Sequence, residues 1–135
     1  MAARKAALLA MAKMALVDGN VSELERGMLA PLLTPDESID DLLEEARGVE
    51  LLAVVAELDR YADRFFVALR SASMAHVDAQ LDAREVALYD ELVGALDISA
   101  DDMLLIDEAV RGLSALEPPP IHPRIAQLFQ QSSFV

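Results

Sequence analysis

The chain has 135 residues, a net charge of −13, 54% hydrophobic residues and no cysteine. That length suits one domain with a real core, and the missing cysteine excludes disulfide scaffolds, thiolate metal sites and cysteine nucleophiles. So acidic a surface repels nucleic-acid backbones and favours cations or a basic protein partner.

The charge is uneven. Residues 1–17 carry three cations and no acid, whereas residues 18–59 carry twelve acids against Arg26 and Arg47. The N-terminus imitates a signal peptide, with Arg4 and Lys5 ahead of an apolar stretch over 6–17. Lys13 interrupts that stretch and no convincing small-x-small cleavage site follows. The same segment also matches residues 66–77 in mid-chain, so a folded helix and a cytoplasmic location are expected. No run approaches eighteen uninterrupted apolar residues, so no membrane span is expected.

A first helix is predicted over 3–17 from the stripe Leu8, Leu9, Ala12, Ala15 and Leu16, and Asp18-Gly19-Asn20 is a stop-and-turn signal. Ser22-x-x-Glu25 is a capping box that starts a second helix, in which Pro31 forces a kink or an end near Ala30. Thr34-Pro35-Asp36-Glu37 predicts the start of a third helix, which carries Ile39, Leu42, Leu43 and Ala46 and is closed by Gly48. Residues 49–58 read as a further helix that is apolar on most sides. A fifth helix is predicted over 60–77 and a sixth from the box Asp82-x-x-Glu85 to about Ala95, with Leu81 and Val86 placed as a hydrophobic staple. Ser99 opens a seventh helix that runs to about Ala115. Prolines at 118–120 end the regular structure, leaving a tail with room for one short turn over 124–129. No segment has a strand period, so the class is all-α: a bundle of about seven helices in one domain over 1–117, followed by a proline-rich tail over 118–135.

One phrase occurs twice. Residues 14–25 read MALVDGNVSELE and residues 74–85 read MAHVDAQLDARE. Laying 8–33 over 68–93 without a gap gives eight identical columns, among them Asp18/Asp78 and Glu25/Glu85. The fold is therefore expected to contain two related helical halves, about 3–47 and 60–115. Asp18 and Asp78 each fall at a helix C-terminus, where the dipole disfavours an acid by a few tenths of a kcal/mol up to ~1. In one reading the acids are purely structural, bracing an αα-corner and completing its cap. In the other, Asp18 with Glu25 and Asp78 with Glu85 supply oxygen ligands to a divalent cation such as Ca²⁺ or Mg²⁺, with Asn20 or Gln80 adding an amide oxygen. A standard EF-hand loop does not fit, because Glu23 and Leu29 stand where it needs Gly and Glu.

The phrase VDGNVSELE, an acid–glycine turn between an alanine-rich helix and a helix opening with Glu, resembles the tellurite-resistance TerB family and the wider TerB-like domains. The second copy, VDAQLDARE, fits the internal duplication of such domains, and the resemblance spans about residues 3–113. It implies a compact helical bundle, a bacterial and stress-linked role without catalysis, and acids that bind divalent cations, here Asp18, Glu25, Asp78 and Glu85. The second copy departs at Ala79, where the first has Gly19; alanine disfavours the left-handed conformation, so the two turns are not expected to be equivalent.

Other chemistry has little support. His76 falls in the column of Leu16 and is expected to be a partly buried helix residue; His122 is expected to be solvated. Two histidines without cysteine do not make a zinc site. No Glu-x-x-His pair, Gly-rich phosphate loop or serine grouped with a base is present, so no enzyme is expected. The acids Asp36, Glu37, Asp40, Asp41, Glu44 and Glu45 form either a solvated helix face or a docking strip for a basic partner. The expectation is a non-enzymatic TerB-like protein with a weak divalent cation site. The alternative is an acidic helical interaction module.

Overall fold

A computed structural model describes residues 2–17, 21–77, 83–113, 116–117 and 120–134, and for Val77 the backbone only. The described residues form eight α-helices and one 3-10 turn, with no strand, which bears out the all-α class. The helices are α1 Ala3–Ala15, α2 Glu23–Leu29, α3 Ile39–Arg47, α4 Leu51–Val55, α5 Tyr61–Val77, α6 Ala83–Leu96, α7 Ala100–Gly112 and α8 Pro123–Gln130.

Helix α1 is the axis of the core and touches α2, α3, α4, α5 and α6. Its side chains from Ala6 to Ala12 are all completely buried. A helix apolar on every side must be surrounded, and the alanines let five neighbours approach closely. The polar exceptions on α1 are turned to use. Lys13 donates from Nζ to the Ala46 carbonyl (3.1 Å), at the negative end of α3. From the other end of α1, Lys5 pairs with Glu45 on α3 (2.7 Å) and Arg4 with Glu37 (2.7 Å) in the turn ahead of it. The cations of α1 thus face the acids of α3 and of the turn before it.

Local signals account for most boundaries. Helix α2 begins at Ser22, whose Oγ accepts from the Glu25 N–H (3.1 Å) while Glu25 Oε1 accepts from the Ser22 N–H (3.0 Å). At Pro31 the helix gives way to the 3-10 turn Ala30–Leu32. Helix α3 starts later than its proline signal implied. Residues 34–37 close a turn in which Glu37 N–H donates to Thr34 O and the Glu37 carboxylate folds back to accept from the Thr34 N–H (2.8 Å). The cap is Ser38 instead. Helix α6 ends at Asp97, which takes a left-handed backbone with φ 54°. Helix α7 is capped by Ser99, which accepts from Asp102 N–H (3.2 Å).

Helix α5 is the second hub and touches α1, α2, α6, α7 and α8. Its Arg64 and Arg70 guanidiniums donate to the terminal carbonyls of neighbouring helices, at Leu96 (3.2 Å) and Met28 (2.9 Å). Burial lowers the pKa of Arg70. The segment after the prolines returns to α5 as α8, with Pro123 in its first turn and His122 as its cap, whose Nδ1 accepts from Arg124 N–H (3.0 Å). Beyond it, Phe134 packs on Phe66 with ring centroids 4.9 Å apart. No helix among the described residues is long and apolar enough to cross a membrane.

Candidate functional site

The repeated phrase lies on α1–α2 and on α5–α6, and the turns joining those helices, 18–20 and 78–82, lie outside the described residues. Asp18, Asp78, Asn20, Gln80 and the staple residue Leu81 fall there. Glu25 and Glu85 are described. Both occupy the first turn of their helix, and both are withdrawn from water, at 8% and 7% exposed. The positive end of the helix dipole stabilises a carboxylate at that place. For Glu25 the capping box adds a defined hydrogen bond. No group of three acids or histidines suited to a metal ion occurs among the described residues. A cation site on this phrase therefore has to draw on Asp18 or Asp78.

Glu85 also lines a cleft of about 420 Å³, which opens between α5, α6 and α7. Its walls are apolar: Ala72 and Ala75 from α5, Val86 from α6 and Val110 from α7. Its polar groups are His76, Glu85, Tyr89, Asp107 and Arg111. The Tyr89 phenol is shifted upward in pKa, first by burial and then by the negative charges of Asp107 and Asp90. His76 is exposed at this cleft, not partly buried in the helix packing as its column had suggested. The signal for the cleft was present in the repeat. The columns that hold Leu16 and Leu29 in the first copy hold His76 and Tyr89 in the second, on either side of the shared glutamate. Leu29 is buried in the core, and Tyr89 lines the opening.

The acidic strip on α3 has a different character. Four of its six acids face cations of the same chain: Glu37 with Arg4, Asp40 with Arg26 (2.9 Å), Glu44 with Arg47 (3.5 Å) and Glu45 with Lys5. Much of the charge that could have drawn a basic partner to this face is thus neutralised internally.

Two further acids are spent on the C-terminal segment. Asp63, completely buried on α5, accepts from the Ser133 N–H (2.6 Å) and the Ser133 hydroxyl (2.7 Å). Asp102 accepts from Arg124 Nη2 (3.1 Å) and Nε (3.3 Å) and from the Tyr61 hydroxyl. The Arg124 hydrogen bonds, with Tyr61 assisting, hold the Asp102 pKa below the usual carboxylate value against the opposing effect of burial. These carboxylates fasten a strap and are not left for chemistry.

No protein-family model, curated protein or solved structure matches this chain.

Proposed function

We propose that the chain is a non-enzymatic, TerB-like helical domain that holds a divalent cation weakly at its acid turns, through Asp18 with Glu25 and Asp78 with Glu85. The observation that carries this reading is the matched burial of Glu25 and Glu85. Two carboxylates in corresponding columns of a repeat are kept out of water in the first turn of α2 and α6, each seven residues after an aspartate. The helix starts hold these carboxylates in place, Glu25 through its capping box, so that each lies close in sequence to the aspartate turn before it. Oxygen-rich turns of this type suit the hard cations Ca²⁺ and Mg²⁺. The net charge of −13 raises the local cation concentration around any such turn. A link to tellurite resistance and stress response comes with the family resemblance alone.

Thermal melting with Ca²⁺, Mg²⁺, Mn²⁺ and Zn²⁺ tests the reading. A ligand that binds only the folded chain stabilises it by mass action. At a Kd of about 0.1 mM, 1 mM metal adds about 1.4 kcal/mol, or roughly 5 °C. The rise should disappear in the double variant Asp18→Asn with Asp78→Asn. No rise at millimolar metal, or an equal rise in the double variant, sinks the proposal.

A further inference from the structure

We propose that the cleft between α5, α6 and α7 docks a lysine side chain presented by a basic segment of a partner protein. Its shape and chemistry match that residue in parts. The small apolar walls of Ala72, Ala75 and Val110 suit the aliphatic stem of lysine, which buries readily while its ammonium seeks water or an anion. Asp107 supplies a carboxylate, and the Tyr89 ring offers a face for a cation. The raised Tyr89 pKa, to which Asp107 and Asp90 contribute after burial, reports a negative field in the same place.

Charge complementarity selects the occupant. On α3 the acids are largely matched by the chain's own cations, whereas Asp107 forms no ion pair among the described residues. Arg111 stands on the same rim and disfavours a densely polycationic ligand, so the cleft suits one inserted ammonium. The overall charge of −13 steers a basic segment toward the molecule, and the cleft supplies the place where a single side chain can be buried. The repeat gives independent support. Relative to the first copy, the second has His76 and Tyr89 in the columns of two leucines and Val86 in that of an arginine, and all three line the cleft. The proposal does not depend on the cation reading.

The test uses the full chain, labelled with ¹⁵N, in EDTA and 0.15 M NaCl. It is titrated with a 12-residue alanine-rich peptide carrying a central Lys, with the same peptide carrying Gln, and with spermidine. Amide shifts confined to α5, α6 and α7 with the Lys peptide, and at least tenfold weaker binding of the Gln peptide, are expected. Asp107→Asn should weaken the Lys peptide fivefold or more, while Glu108→Gln, the same charge change one residue along α7, should change it less than twofold. Val86→Lys places a lysine at the cleft in cis and should abolish binding with an unchanged melting temperature. Equal weakening by Asp107→Asn and Glu108→Gln, or shifts centred on α3, would show diffuse charge attraction and overturn the proposal. Spermidine binding as tightly as the Lys peptide overturns the protein partner. Because EDTA is present throughout, failure here leaves the cation test unaffected.

Discussion

At the scale of single residues, the carboxylates of this chain are not interchangeable. Glu37 is held down to about 2, first by hydrogen bonds from Arg4 and then by the Thr34 N–H. A carboxylate with a folded pKa below its ordinary 4.5 stabilises the fold fully above that pH. Its contribution is lost as the pH falls from 4.5 through about 2. Both partners keep roughly a quarter of their side-chain surface in water, so after solvent screening the pair is worth about 1 kcal/mol. Arg4→Met should therefore lower the melting temperature at pH 7 by about 4 °C and flatten the decline between pH 4.5 and 2. Melts across a pH series read both effects. Asp63 is a different case, because it is fully buried and satisfies two donors of Ser133. Asp63→Ala leaves those donors unpaired and should cost about 2–3 kcal/mol in urea denaturation. Asp63→Asn should cost less, since its amide oxygen can keep the Ser133 N–H and its NH₂ can donate to the Ser133 hydroxyl.

At the scale of elements, helix starts follow the chemistry of their caps. Ser22 and Ser99 begin α2 and α7 where the sequence places them, because a cap acts through backbone groups three residues away and needs no distant partner. Ser22→Ala should cost about 1 kcal/mol, seen as a shift in the urea midpoint at constant slope. Helix α3 starts later than its proline signal predicts because Glu37 answers to Arg4, thirty-three residues away, as well as to its local turn. Helix α8 was legible only as a short turn after a proline run. What makes it part of the body is contact with α5 and the clasps at Asp102 and Asp63. Asp63→Ala combined with Asp102→Ala should free the segment and expose Phe65 and Phe66. Increased ANS fluorescence and faster chymotryptic cleavage near Phe129 and Phe134 would register the release. Since the Asp102 pKa is also depressed, acid should loosen the strap as the pH falls below the ordinary carboxylate range.

At the scale of the whole molecule, α1 is a buried axis of alanine, leucine and methionine, and its packing leaves no room for growth. Ala10→Leu should cost about 1–3 kcal/mol through overpacking, measured by urea denaturation, whereas the same change at the exposed Ala87 should be nearly neutral. The sequence by itself determined the all-α class, most helix positions and the repeated acid phrase. Each of these rests on contacts within a few residues: helical period, caps, and glycine or proline stops. Tertiary structure decided which charges are already spent. Lys5 and Lys13 are bound to Glu45 and the Ala46 carbonyl of α3, and Arg4 to Glu37 in the turn before it. The strip on α3 looked available and is largely paired, while His76 and Tyr89, inconspicuous on one helix each, meet Asp107 across a cleft. The physical reason is that a side chain's charge partner is set by which helices pack together. That choice depends on the summed apolar burial of many residues, which no local pattern encodes.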